Sequence, residues 1–348
     1  MAYTTIDDPT IYFNTVLYTG DGNDGRTVTG VGFQPDWVWA KERSDSSSHK
    51  LSDSVRGATK EIESNNSGAE GTNSSGLQSF DSDGFTVGTS VAWNQSSQTM
   101  VSWNWKAGGS ASSNGDGNIA SSVSANTAAG FSIATWTGSG SSGTIGHGLG
   151  AAPELSFIKQ RTGTQDYNTQ ATVLGYSKYL ILNGNNASAN TSGAVISSVS
   201  TTTISVDNNG YVNAASNNYV GYFFASVQGH SKISRYTGNG NADGPYVHLG
   251  FRPAWLLIKK TSAVGDWTIY DNARDGGYLD QPIYKLLDAN LSSAEYSSYA
   301  NYQIDFVSTG FKIRNSLGGI NSNGDTFIYM AFAESPFVNS NGVPTNAR

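Results

Sequence analysis

One motif near position 20 returns twice more in register, and this recurrence decides what the chain can fold into. The first copy reads Tyr18-Thr19-Gly20-Asp21-Gly22, then Gly32-Phe33-Gln34-Pro35-Asp36-Trp37-Val38-Trp39-Ala40-Lys41. The second reads Trp136-Thr137-Gly138-Ser139-Gly140, then Gly150-Ala151-Ala152-Pro153-Glu154-Leu155-Ser156-Phe157-Ile158-Lys159. The third reads Tyr236-Thr237-Gly238-Asn239-Gly240, then Gly250-Phe251-Arg252-Pro253-Ala254-Trp255-Leu256-Leu257-Ile258-Lys259. The glycine, proline and lysine anchors move together by 118 residues between the first two copies (32 to 150, 35 to 153, 41 to 159). They move by 100 between the last two (150 to 250, 153 to 253, 159 to 259). Shared offsets of this kind mark a tandem array of one unit of about 100 residues. The 348 residues hold three such units, each near the common size of a domain.

Composition narrows the class. Charged residues are only 14%, yet 18 Tyr, 14 Phe and 8 Trp exclude a disordered chain, which would lack aromatics. Many aromatics with 41 glycines suit short strands joined by tight turns. The net charge is -7, and the 20 basic residues are spread thinly. No cluster is present that could release counterions from phosphates, which argues against nucleic acid as a partner. The absence of cysteine excludes disulfides and zinc–thiolate sites and points to assembly in a reducing cytoplasm. The first nine residues show neither the basic region nor the apolar core of a signal peptide. No apolar stretch approaches the roughly 20 residues needed to span a bilayer, so membrane insertion is not expected.

The local signals are those of β structure. Leu155-Ser156-Phe157-Ile158 and Trp255-Leu256-Leu257-Ile258 read as central strands buried on both faces, with proline at the strand entry. Gly84-Phe85-Thr86-Val87 reads as a later strand, matched to Gly210-Tyr211-Val212 and Gly310-Phe311-Lys312-Ile313, with a positive φ expected at the glycine. Trp103/Trp105, Tyr222/Phe224 and Met330/Phe332 alternate in the closing strands. Helix is expected nowhere except for a short turn around Ile283 to Ser292. The reading is all-β: three tandem antiparallel β-sandwich modules, jelly-roll-like, over residues 1–106, 119–227 and 228–348. A flexible linker is expected over 107–118, from its Gly/Ser composition.

The candidate contact residues are few. Lys41, Lys159 and Lys259 each follow an apolar strand, where a lysine ordinarily lies along apolar surface and keeps its ammonium wet. Asp53-Ser54-Val55-Arg56 aligns with Asp271-Asn272-Ala273-Arg274, whereas the second copy has Ala171 and Leu174 at the charged places. Asp53 with Arg56 and Asp271 with Arg274 could pin a loop by a charge-assisted pair. Being dispensable in copy two, they also mark a contact surface on the outer copies. Trp93 lies between strands among polar neighbours, and Tyr278, Tyr296, Tyr299 and Tyr302 form a tyrosine-rich stretch. Tyrosine mixed with Ser, Gly and Asn is the chemistry of adaptable contact surfaces. The Asn/Asp/Gly turns suit turn chemistry better than a calcium loop, since Gly250 stands where the twelfth-position glutamate would be. The four histidines have no metal-ligand spacing, no carboxylate pair of glycosidase type is legible, and no nucleophile elbow appears in context. No catalytic residue, metal or cofactor is assigned, and the chain is read as a non-enzyme.

Several stretches carry a family resemblance. They are Ala129-Gly130-Phe131-Ser132-Ile133-Ala134-Thr135-Trp136-Thr137-Gly138, Thr144-Ile145-Gly146-His147-Gly148-Leu149-Gly150, Ile158-Lys159-Gln160-Arg161 and Tyr179-Leu180-Ile181-Leu182-Asn183. Tyr236 to Pro245, Gly250 to Trp255 and Ile328-Tyr329-Met330-Ala331-Phe332-Ala333-Glu334 belong with them. Together they resemble a repeat of virion proteins of tailed, especially marine, bacteriophages, with a lectin-like or laminin-G-like jelly roll in tail fibre proteins. The resemblance implies a virion structural protein, assembled in the bacterial cytoplasm and exposed as a tail fibre or spike component. Its implied partners are other virion proteins and host surface polysaccharide, in a homo-oligomer with a trimer favoured. A capsid decoration or head-fibre protein is one alternative, and a polysaccharide depolymerase is another. The chain departs from the pattern in having no collagen-like or coiled-coil stalk, and His49 and Tyr167 stand where copy three has Trp267.

Overall fold

Strand-forming runs of β-branched and aromatic residues dominate each repeat, and the computed structural model is all-β. It describes residues 4–190, 195–275, 281–297, 302–316 and 318–336. Among these, α-helix is confined to two single turns, Val91–Asn94 and Gly318–Asn321. The stretch 283–292 is not helical. It carries the short strand Leu287–Asp288, because Ile283 and Leu286 make β-bridges to Ile304 and Tyr296 instead.

Each repeat contributes two antiparallel sheets with the same core strand order, and the first repeat adds a two-stranded ladder, Lys60–Glu61 with Gly71–Thr72. In the first, Phe13–Thr19 lies beside the closing strand Thr99–Trp105, which pairs with Trp37–Glu42 and then Lys50–Asp53. The second repeat builds the same order from Phe131–Thr137, Asn218–Phe224, Leu155–Gln160 and Asn168–Ala171. The third uses Ser231–Thr237, Thr326–Pro336, Phe251–Lys260 and Trp267–Asp271. The smaller partner sheets hold three strands each: Arg26–Thr29, Gly84–Val87 and Leu77–Asp81 in the first repeat, with counterparts in the others.

The register corrects three details. Thr203–Val206 pairs with Gly143–Gly146 as Gly84–Val87 pairs with Arg26–Thr29, so it is the true counterpart of that strand. Gly210-Tyr211-Val212 lies instead in the following turn. Gly84 and Gly310 are needed because a Cβ there would lie 1.9 and 2.0 Å from the carbonyl oxygens of Val28 and Val247. Pro35 and Pro153 precede their strands, but Pro253 lies inside Phe251–Lys260, at a break in register where a missing donor is tolerated. The 107–118 stretch contains a strand, Ser112–Asn114, at the edge of the second large sheet. Gly108 and Gly109 are tied by hydrogen bonds from their amides to Ser124 (3.0 Å) and Asp36 (3.2 Å), so low complexity here does not give a free hinge.

The repeated Thr-Gly-x-Gly motif has one structural cause. Its aromatic donates to the carbonyl that precedes a buried asparagine: Tyr18 to Trp93 (2.8 Å), Trp136 to Val212 (3.0 Å) and Tyr236 to Ile320 (2.7 Å). The asparagines that follow, Asn94, Asn213 and Asn321, are fully buried and clasp the glycine turn. Each side-chain oxygen accepts the amide of the residue between the two glycines, at 2.8–2.9 Å. A Cβ on the first glycine would sit 2.0 to 2.2 Å from a carbonyl oxygen, and the second glycine has φ between +64 and +73°. Both positions therefore demand glycine.

Apolar packing joins the repeats. One buried cluster fills the space between the two sheets of each repeat, around Phe85 in the first, Phe223 in the second and Phe311 in the third. A fourth cluster lies on the opposite faces of the large sheets and draws on all three repeats. Trp37 stacks on Tyr222 at 4.4 Å and lies beside Phe131 at 5.8 Å, joining repeats one and two. Phe13 stacks on Phe332 at 4.9 Å and Trp105 meets Trp255 at 5.6 Å, joining one and three. Phe157 meets Trp267 at 6.1 Å, joining two and three. The large sheets are apolar on both faces because each serves two cores.

In the turn that opens repeat three, His230 is 1% exposed between the rings of Tyr12 of repeat one and Phe332. Its Nδ1 has no hydrogen-bond partner among the described residues. Burial lowers its pKa to about 3. The unfolded chain then binds more protons than the folded one below about pH 6.5, and stability from this group is lost as pH falls. Asp288, raised by burial to about 7, acts in the opposite sense, so the whole-protein profile mixes the two. The difference between variants isolates the histidine. His230→Phe is expected to gain about 2 kcal/mol on wild type between pH 7 and pH 5. Urea unfolding of both proteins at the two pH values checks it.

Candidate functional site

The paired charges singled out in the sequence come together at the boundaries between repeats. Asp53 closes the strand Lys50–Asp53, and Arg56 follows in the turn. Both side chains are fully buried. Arg56 bonds Asp53 at 2.5 Å through Nε and Glu70 at 3.2 Å through Nη1. Glu70 reaches across to the second repeat, where Arg161 grips it at 2.8 and 3.0 Å. The Tyr222 hydroxyl of that repeat donates to Asp53 at 2.8 Å. The Glu70 amide donates to the Arg161 carbonyl at 2.9 Å. Burial pushes the Glu70 carboxyl up, but Arg161 and Arg56 outweigh it and hold it below the usual range.

The same set recurs between repeats three and one. Arg274 bonds Asp271 at 2.6 Å and Glu295 at 3.0 Å. Arg43 grips Glu295 at 2.8 and 3.0 Å, and the Trp103 indole donates to Asp271 at 2.9 Å. The Glu295 amide donates to the Arg43 carbonyl at 2.8 Å. Arg43 and Arg161 share the 118-residue offset of the lysines (43 to 161), and their third counterpart is Thr261.

Between repeats two and three every one of these places is neutral. Ala171 and Leu174 replace the aspartate and arginine, and Met330 replaces the Trp103/Tyr222 donor. Ser188 and Thr261 replace the glutamate and arginine, with the Ser188 amide still donating to the Thr261 carbonyl at 2.9 Å. The contacts thus run from one to two, two to three and three to one, a closed cycle. The five positions change together because an unpaired buried charge is far more costly than a neutral pair. The Asp–Arg pairs are buried where neighbouring repeats of the same chain meet, and do not form an outer contact surface.

The three lysines are buried, contrary to the wet surface position expected of them. Lys159 Nζ donates to the carbonyls of Ser67, Gln160 and Gln165 at 2.6–3.1 Å. Lys259 donates to Asn185, Asn186 and Lys260 at 2.7–3.3 Å, and Lys41 to Glu42 and Asp45. Ser67, Asn185 and Asn186 belong to the preceding repeat, so two of these lysines also tie neighbours together. Burial lowers all three to about 8.

Trp93 is also a correction. It is fully buried, donates from its indole to Glu61 at 3.0 Å and packs on Phe85. Its polar sequence neighbours belong to a one-turn helix whose apolar side faces the core of the first repeat. Tyr296 and Tyr302 are half-buried against the third repeat's core. Tyr278 and Tyr299 lie outside the described residues.

Tyr302 also lines a polar cleft of about 280 Å³ with Lys260, Asp266, Thr268 and Asp288, closed on one side by Asn185 of the second repeat. Asp288 Oδ1 accepts from Thr268 at 3.1 Å, and Asp266 Oδ1 from Asn290 at 2.8 Å. Sequence reading missed this carboxylate pair because 22 residues separate its members (266 to 288). Among the described residues, no three His, Cys, Asp or Glu side chains are placed to hold a metal ion.

A search of curated proteins and a search of solved structures each returned no match. One family model, a domain of unknown function designated DUF7483, matches residues 8–336 and so spans all three repeats. The chain belongs to the DUF7483 family.

Proposed function

We propose that this chain is a structural protein of a tailed-bacteriophage particle, exposed at its surface as a tail fibre or spike component. Its working body is three jelly-roll-like β-sandwich modules, 1–106, 119–227 and 228–348, closed around a shared core. The observation that carries this reading is the cyclic closure of the repeats by matched interfaces and one common apolar cluster. Such a body is a rigid platform with loops at its ends, which suits contact better than turnover. A homo-trimer is the assembly favoured by the resemblance, with this three-repeat body as its protomer. The sequence resemblance supports host surface polysaccharide and other virion proteins as its contacts.

Cryo-electron microscopy of intact particles with mass spectrometry tests this. A few copies at the tail are expected, in multiples of three. Many copies on the head lattice would make it a capsid decoration, and absence from particles would overturn the virion reading. A polysaccharide depolymerase is the second reading, favoured by the Asp266–Asp288 pair. Sustained release of reducing ends from host polysaccharide would establish it.

A further inference from the structure

The three repeats provide an internal comparison for the cleft. The strand pairing that sets Thr268 opposite Asp288 sets Asn168 opposite Ile181 in the second repeat. The first repeat places Lys50 and Glu63 there, and they form an ion pair. Copy one thus neutralises its carboxylate, and copy two keeps Asp166 at the place of Asp266, bonded by Asn183, but has no carboxylate at the place of Asp288. In copy three, Asp288 has only a threonine hydroxyl beside it, with the Asp266 carboxylate nearby. Oδ2 of Asp266 and of Asp288 has no hydrogen-bond partner among the described residues. The fold does not need this arrangement, since two repeats do without it, and it lines an open cleft.

The lining limits what enters. Lys260 already carries the Asp325 carboxylate at 3.1 Å and donates to Ser322 at 2.6 Å, so an acidic ligand meets no free cation. Burial and the Asp266 charge push Asp288 up to about 7, so near neutrality its carboxyl can donate as well as accept. Two carboxyl groups with free oxygens suit neighbouring hydroxyl groups. The Tyr302 ring forms an apolar wall, lying so close over Gly319 that a Cβ there would come within 2.2 Å of it. A volume of about 280 Å³ is at the small end for ligand pockets and admits a single ring.

We propose that this cleft binds a neutral, polyhydroxylated ligand the size of one sugar ring, held by Asp266 and Asp288 against Tyr302. The inference deepens the glycan-contact reading of the protein. It is tested on purified full-length chain, so it can fail while the particle location stands, and the reverse. The probes are the methyl glycosides of glucose, galactose, mannose and N-acetylglucosamine at millimolar concentration, with glucuronate as the acidic comparison. Binding is read by saturation-transfer NMR.

At least one neutral glycoside is expected to bind, with glucuronate weaker. Asp288→Ile, which installs the residue of copy two, is expected to weaken binding about tenfold or more, equivalent to about 1.4 kcal/mol, without lowering Tm. Asp288→Asn serves as the isosteric second variant, and Tyr302→Ala should weaken binding similarly. Failure of every neutral glycoside to bind would overturn the proposal. So would binding that neither Asp288 variant changes, or glucuronate binding more tightly than the neutral sugars.

Discussion

Arg56→Leu is expected to destabilise the protein by about 3–5 kcal/mol, the cost of stranding a buried partner charge. Asp53 and Arg56 are both without solvent exposure, and the substitution leaves Asp53 with only the Tyr222 hydroxyl and the Arg56 amide to face its charge. The interface between repeats two and three shows how the same contact is made without charge. Five substitutions together, D53A, R56L, E70S, R161T and Y222M, install that set at the boundary of repeats one and two. This combination is expected to lie within about 1 kcal/mol of wild type, because a buried ion network and a packed neutral one are often equivalent. Urea unfolding of the single and fivefold variants checks both numbers. A fivefold variant that loses as much as the sum of its parts would mean that the correspondence of the three interfaces is wrong.

Trp37→Ala is expected to cost about 3–5 kcal/mol, as large-to-small changes in aromatic cores do. The side chain is fully buried and touches the rings of Trp39, Trp105, Phe131, Tyr222 and Phe224. Three of these belong to the second repeat, so the loss is expected to lower one common transition rather than detach the first repeat. Tryptophan fluorescence and far-ultraviolet circular dichroism should report the same reduced midpoint. Diverging midpoints would show repeats that fold separately.

Much of this was legible from residues whose constraint is local. The two glycines of the turn motif are fixed by one close approach and one positive φ, and these requirements survive divergence, so the repeat stood out. The all-β character followed from the same runs. Contacts between repeats were harder to read. An aspartate and an arginine three apart look alike on a surface loop and in a buried interface, because spacing carries no information on burial. The absence of the pair in copy two read as dispensability. It reflects a neutral partner, Met330 and Thr261, in the copy that follows. Trp93 was misplaced because polar sequence neighbours need not be spatial neighbours. Gly210-Tyr211 reads as a strand because it shares the Gly-aromatic pair of Gly84-Phe85 and Gly310-Phe311, and only the register places the strand at Thr203–Val206. One legible sign of these contacts is that Arg43 and Arg161 keep the offset of the lysines beside them.

The central claim is that three repeats make one closed body around a shared core. Differential scanning calorimetry of the full chain tests it most directly. A single transition whose calorimetric enthalpy equals its van't Hoff enthalpy is the predicted result. A calorimetric enthalpy about two or three times the van't Hoff value, or resolved transitions, would mean that the repeats unfold as separate units and would contradict the account.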